Sequence, residues 1–185
     1  MIDEIMTDTK TRMKKSIAAV KVELAKIRTG RATPGLLDHV MVSYYGNDVP
    51  LNQAATISVS DARTLSVQAW EKNMVPTIEK AILESQLGLN PVTAGEVVRI
   101  PIPSLTEERR REMTKLVRTE GENGKVAIRN IRRDAINHAR DLVKSKDIGQ
   151  DDEKKGVEQI QSHTDQYTAE IDALIKEKET EIMEV

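Results

Sequence analysis

The chain has 185 residues, 31% of them charged and 38% hydrophobic, and it lacks cysteine, which excludes disulfide frameworks, thiolate metal sites and thiol catalysis. No apolar run approaches the roughly 20 residues of a bilayer span, and the opening Met1-Ile2-Asp3-Glu4 carries no secretion or organelle address, so a cytoplasmic protein without membrane association is expected. The four aromatics, Tyr44, Tyr45, Trp70 and Tyr167, are too few for a sheet that binds single strands by base stacking.

Helical spacing comes first. Met6, Met13, Val20 and Ile27 recur by sevens with Ile17 and Leu24 between them, the stripe of a packed helix. Arg28-Thr29-Gly30 is expected to end it, with Gly30 in the left-handed position after the helix and Pro34-Gly35 blocking any continuation. From residue 36 the period becomes two: Val40, Val42 and Tyr44; Ile57 and Val59; Leu65, Val67 and Ala69; Val98, Ile100 and Ile102. Tyr45-Gly46-Asn47-Asp48 predicts a turn between two short strands. A helix opening near Pro76 and carrying Ile78, Ala81 and Ile82 interrupts the strands, and Gly88 with Asn90-Pro91 closes it.

Helical spacing returns at Ser104-Leu105-Thr106-Glu107, which predicts a capping box with Thr106 as the rival cap. Its stripe runs Val117, Gly121, Gly124, Ile128, Ile131, Ala135, His138 and Leu142. Ile148-Gly149 breaks it. The last helix carries Val157, Ile160, Thr164, Tyr167, Ile171, Leu174, Lys178 and Ile182. None of these three helices can bury its stripe alone. The expected fold is therefore α+β: a discontinuous three-helix bundle from 1–29 and 105–185, with a small β-rich α/β domain, 30–104, inserted. The chain crosses between them near 30–34 and 102–105, where Gly30, Pro34, Pro103 and Ser104 are expected to form a hinge.

Charge follows these divisions. The net is +4 over 1–31, −3 over 32–104, +5 over 105–146 and −8 over 147–185. Arg111, Arg118, Lys125 and Arg132 recur every seven residues beside Lys115, Arg129, Arg133 and Arg140, and they are expected on a stripe facing away from the apolar seam. Arginine suits phosphate because its planar fork holds two oxygens at once. A solvated face partly paired with Glu122, Asp134 and the acidic last helix fits the same composition, so spacing alone leaves the two readings even. The scarcity of aromatics favours contact with the backbone of a folded RNA over base reading. Catalysis finds no support: His39, His138 and His163 have no ligand spacing, and there is no phosphate-binding loop, dinucleotide fingerprint or G-x-S-x-G elbow. Asp151-Asp152-Glu153 is the ordinary acidic helix start. No catalytic residue, metal site or cofactor is expected.

Six collinear segments carry a resemblance: Arg28-Thr-Gly-Arg-Ala32, Tyr44-Tyr-Gly46, Leu87-Gly-Leu-Asn-Pro91, Arg99-Ile-Pro-Ile-Pro103, Leu105-Thr-Glu-Glu-Arg-Arg110 and Val126-Ala-Ile-Arg-Asn-Ile-Arg-Arg-Asp-Ala135. Together they resemble the bacterial-type ribosome recycling factor family over essentially the whole chain. The resemblance implies an L-shaped, monomeric translation factor that splits the post-termination ribosome with elongation factor G and GTP, freeing ribosomes from mRNA for reuse. It implies a bundle docked on large-subunit RNA through Arg110, Arg129 and Arg132. The same basic stretch holds Arg133, and Arg28 and Arg31 flank the hinge. The inserted domain would face elongation factor G, to which GTP hydrolysis belongs, so the chain itself would be no enzyme. Gly121 and Gly124 stand where relatives usually carry alanine, and about 1 kcal/mol each of lost helix propensity predicts a soft helix there. The competing readings are a helical adaptor or chaperone, which needs exposed apolar seam residues, and a tRNA-modifying enzyme, which needs a polar pocket in the inserted domain.

Overall fold

In a computed structural model describing residues 1–184, the chain forms helices α1 (Ile2–Ala25), α2 (Val75–Leu83), α3 (Glu107–Lys144) and α4 (Gln150–Met183). The strands are β1 (Met41–Tyr44), β2 (Asn47–Pro50), β3 (Ala55–Asp61), β4 (Thr64–Ala69), β5 (Val92–Ala94) and β6 (Val97–Pro101). This is the α+β composition that the change of period predicts. It divides into two compact units, Met1–Arg28 with Glu108–Glu184, and Thr29–Glu107.

The first unit is built from seams. α1 buries Ile5, Thr9, Met13, Ile17, Val20 and Leu24, while Met6 and Ile27 are only half-buried. α1 stops at Ala25, short of the predicted end, because the last amides tighten onto carbonyls three residues back: Lys26 N–H to Glu23 O at 3.3 Å and Ile27 N–H to Leu24 O at 3.1 Å. Gly30 does have a positive φ of 79°, but it turns the chain beyond the helix and is not the residue after its cap. α3 buries Met113, Val117, Gly121, Gly124, Ile128, Ile131, Ala135 and Ala139. Ala139 takes the seam place expected of His138, which is exposed, and half-buried Leu142 packs against the same cluster as Ala139. The predicted capping box does not form around Ser104, whose hydroxyl accepts a 2.8 Å hydrogen bond from Arg63 Nη1. α3 begins directly after Thr106.

The glycines of α3 sit where helices come closest. A Cβ on Gly124 would lie 2.4 Å from Val20 Cγ2 and 3.2 Å from Ile171 Cδ1, and one on Gly121 would lie 2.0 Å from Ile175 Cδ1. The space an alanine methyl would need is already filled by neighbouring branched side chains, so the propensity loss is offset by packing. The expectation from propensity alone leaves this packing out of account. Gly156 of α4 likewise faces Ile2, so α1 and α4 start side by side and α3 runs against both.

The second unit packs the ribbon β1–β2 and the antiparallel sheet β3-β4-β6-β5 around one aliphatic core. Leu37, Val42, Leu51, Leu65, Val67, Ile78, Ile82, Val98 and Ile100 are almost wholly buried there, drawn from strands at period two, from one face of α2 and, for Leu37 and Leu51, from the short turns Pro34–Leu37 and Leu51–Gln53. Tyr45 and Gly46 make the two-residue hairpin turn with φ of 49° and 82°, the left-handed pair that matches strand twist. The short strand β5, pairing Val92 with Arg99, has no legible period because all its residues are exposed. The segments entering and leaving this unit flank one turn: Ala32 N–H bonds Ala62 O at 2.9 Å, and Ile102 N–H bonds Arg63 O at 2.6 Å.

Candidate nucleic-acid interface

α3 presents its cations in two sets. Seam residues Val117, Gly124 and Ile131 are each followed by a cation, so Arg118, Lys125 and Arg132 flank the seam instead of opposing it. They turn toward α4, and each finds a partner there. Arg118 Nε lies 2.8 Å from Glu179 Oε1, Lys125 pairs with Asp172, and Arg132 Nη1 donates to Gln161 Oε1 at 3.1 Å. Arg140 approaches Glu153 at 3.9 Å on the same side. Three members of the seven-residue stripe, Arg118, Lys125 and Arg132, thus form an α3–α4 seal, which corrects their expected placement away from the seam, while Arg111 is exposed. The acidic last helix supplies the counter-charges, and partly exposed pairs of this kind are worth about 0–1 kcal/mol each.

The second set points outward. Arg129 is exposed and donates from Nη2 to Glu122 Oε1 at 2.7 Å, one heptad earlier on the same helix. Arg133, also exposed, donates from Nη2 to Asn130 Oδ1 at 3.1 Å. These bonds hold the two guanidinium groups on the helix surface while leaving further N–H donors turned to solvent. Arg132 stands between the sets: it is half-buried, and its Nε is buried without an acceptor. Arg110, one heptad before Val117, continues the seam at the first turn of α3, half-buried and with the same unpartnered Nε. Arg28 and Arg31 are exposed. Of the residues assigned to the hinge, Gly30 is buried with its positive φ, Pro34 opens the single turn Pro34–Leu37, and Pro103 and Ser104 are exposed.

Sequence reasoning passed over a third group of cations. Arg12 of α1 bridges to α3 through Asp134 at 3.0 Å. Lys10, Lys14, Lys15 and Lys21 of the same helix are exposed. Their signal was present as the +4 net charge of residues 1–31, but no repeat singled them out.

The inserted unit is different in chemistry. Glu71 accepts from Tyr44 OH at 2.8 Å and from Tyr45 OH at 2.6 Å, and the two rings meet edge-on at 4.6 Å. Hydrogen bonding to the Glu71 carboxylate, followed by desolvation, raises both phenols above their ordinary value of 10.0. The same bonds, from Tyr45 first, lower Glu71. Trp70 is 59% exposed beside them, its Nε1–H donated to Thr56 Oγ1 at 2.9 Å. Among the described residues no group of three or more histidines and carboxylates is arranged to hold a metal, and no helix is long and apolar enough to cross a membrane.

Residues 20–183 match the family described as Ribosome recycling factor. The chain belongs to the ribosome recycling factor family. It is 58% identical over 185 residues to the ribosome-recycling factor of Legionella pneumophila (strain Corby), covering 100% of both chains. It is 57% identical, with the same coverage, to that of Azoarcus sp. (strain BH72). Two solved structures share its fold. The solution structure of a ribosome recycling factor, 41% identical, is covered to 98% by 100% of this chain with a TM-score of 0.72. The other is 46% identical, with 98% of each chain covered and a TM-score of 0.64. It is described as models for the T. thermophilus ribosome recycling factor and E. coli elongation factor G bound to the E. coli post-termination complex. The resemblance read from six short segments thus extends over the full length, and the family is one of translation factors.

Proposed function

We propose that this chain disassembles the post-termination ribosome together with elongation factor G and GTP, releasing ribosomes from mRNA in the cytoplasm. The observation that carries the reading is the full-length likeness to recycling factors, one of them described bound with elongation factor G to a post-termination complex. The bundle unit is the RNA-docking part, through Arg129, Arg132 and Arg133 on α3, Arg110 at its first turn, and Arg28 and Arg31 near the crossings. Arg129 and Arg133 fit this role because they are exposed and keep spare donors for phosphate oxygens. Arg132 fits it differently, since Gln161 fixes one nitrogen of the fork and so orders the group before any ligand arrives. The inserted unit faces elongation factor G, and the crossings at Gly30, Pro34, Pro103 and Ser104 serve as its hinge. Work comes from the partner's GTP hydrolysis, so this chain acts by docking and transmitting force, not as an enzyme.

Light scattering of post-termination complexes tests the reading. Adding the full chain with elongation factor G and GTP should lower the scattering as subunits separate, and an unchanged signal would sink it. In the same system Arg129→Ala and Arg132→Ala should each weaken large-subunit binding by about 1–3 kcal/mol, the scale of a lost charge-assisted contact. Wild-type affinity in both folded variants would remove those arginines from the interface.

A further inference from the structure

We infer that the lysine row of α1, Lys10, Lys14 and Lys21 with Lys15 beside it, is a second RNA-phosphate surface, separate from the arginines of α3. The inference deepens the ribosome-docking function proposed above and rests on it. Between Asp8 and Glu23, α1 carries Lys10, Arg12, Lys14, Lys15 and Lys21 and no acidic residue. Arg12 is engaged by Asp134. The four lysines are exposed, and none forms an ion pair or side-chain hydrogen bond with any described residue.

The contrast with α3 decides the matter. Arg118, Lys125, Arg129 and Arg140 each hold a carboxylate, so a phosphate approaching them must first displace an internal anion. At the lysine row nothing has to be displaced. The net attraction for a polyanion is therefore undiminished by any lost internal pair.

Geometry makes the row a surface. Steps of four and seven residues keep Lys10, Lys14 and Lys21 on one side of the helix over about 16 Å, and Lys15 stands roughly a quarter turn away. Each of the three follows a buried residue, Thr9, Met13 or Val20, so the row runs along the edge of the seam and stays exposed there. The neighbouring exposed positions Thr11, Ala18 and Ala19 are small, so a nucleic-acid backbone can come close to the amines.

The chemistry selects the ligand class. Lysine is a compact point charge without the fork that fixes a carboxylate or a base edge, and no aromatic lies in α1 to stack a base. An acidic protein segment would need an apolar or aromatic anchor at the centre of its interface, and the exposed apolar side chain of Val22 stands about a quarter turn or more from Lys10, Lys14 and Lys21, beside Lys15. Sequence-independent contact with RNA phosphates remains.

The test uses the full-length chain and purified large ribosomal subunits. Binding is measured across a series of salt concentrations for the parent, for Lys10→Gln/Lys14→Gln/Lys21→Gln together, and for the control Lys154→Gln/Lys155→Gln on α4. Each phosphate contact contributes about 0.7–0.9 to the slope of log affinity against log salt. The triple variant should therefore lose about two units of slope, while the control keeps the parent's value. Because the chain has no cysteine, Lys14→Cys also carries a single photoreactive label, which should crosslink to ribosomal RNA. A parent slope in the triple variant, with far-UV circular dichroism unchanged, would overturn the row while leaving the docking function intact. Crosslinking to ribosomal protein alone would overturn it in favour of an acidic protein partner. Failure of the parent itself to bind large subunits would instead remove the docking function, and the row with it.

Discussion

The bundle and the inserted unit solve the same packing problem with opposite materials. The bundle joins helices through small residues, Gly121 and Gly124, against branched ones, Val20, Ile171 and Ile175, and it seals the α3–α4 joint with ion pairs. The inserted unit buries an almost purely aliphatic core and places three of the chain's four aromatics at or near its surface, Tyr44 half-buried and Tyr45 and Trp70 exposed. Charge is therefore concentrated on the bundle, and exposed aromatic surface on the inserted unit. The difference teaches that one chain can carry two surface chemistries by giving each its own core.

The largest expected effects come from emptying either core. Ile128→Ala in α3 and Ile82→Ala in α2 both remove wholly buried side chains and should each cost about 2–5 kcal/mol. The two variants should differ in which probe responds. Trp70, the only tryptophan, reports on the inserted unit by fluorescence, whereas the ellipticity at 222 nm is dominated by α1, α3 and α4. Ile82→Ala should advance the Trp70 transition in denaturant and leave most of the ellipticity in place, and Ile128→Ala should do the reverse. Coincident shifts of both probes in both variants would show one cooperative core and break the comparison.

A smaller effect separates the two glycines. Gly124→Ala drives a methyl into Val20, a β-branched residue held in the core, and should lose about 1–3 kcal/mol to overpacking even after the propensity gain of roughly 1 kcal/mol. Gly121→Ala meets the end of the half-buried Ile175, which can turn outward, so its midpoint in denaturant should stay close to the parent's. A gain in stability from Gly124→Ala would mean that propensity, not packing, rules the seam.

The smallest effect is spectroscopic. The Glu71 carboxylate raises Tyr44 and Tyr45, and burial raises Tyr167, so the alkaline absorbance titration of the folded chain should begin above the ordinary phenol value. Raised phenols add stability that is present below 10.0 and lost as pH climbs through their folded values. Glu71, lowered from 4.5, adds stability present above 4.5 and lost as pH falls through its own lower value. Glu71→Ala should bring the onset of titration down toward 10.0 for two of the three tyrosines. An onset unmoved by that change would dissolve the Tyr44–Tyr45–Glu71 cluster.

Period carried most of the fold into the sequence. Alternation by three and four marked α1, α3 and α4, and alternation by two marked β1, β4 and β6, because in each the buried face is apolar; in β3 the expected inward residue Val59 is instead exposed and Ile57 is only half-buried. What escaped lacked such a face: β5 is wholly exposed, and α1 ends early through local tightening that no side chain announces. The heptad cations were legible as a repeat but not as a direction. One residue past the seam means a partner on α4, and only knowing that Glu179, Asp172 and Gln161 stand opposite reveals it. The packing role of Gly121 and Gly124 was hidden for a related reason, since propensity is local while the close approach of Val20 and Ile175 is not. The lysine row of α1 escaped because its meaning lies in the lack of internal partners, which composition does not show.

The central claim is that docking and disassembly reside in different units, and removing one of them tests it most directly. Because Ala32 and Ile102 bond to adjacent residues, Ala62 and Arg63, the two crossings lie side by side, and a short Gly/Ser linker can replace residues 33–102. The resulting protein keeps all three seams and the arginines at 110, 129 and 132. It should fold as helix, bind large subunits with a steep salt dependence, and leave post-termination complexes intact by light scattering when elongation factor G and GTP are added. Full splitting activity from this truncated protein, or loss of subunit binding while its helical ellipticity is retained, would contradict the division.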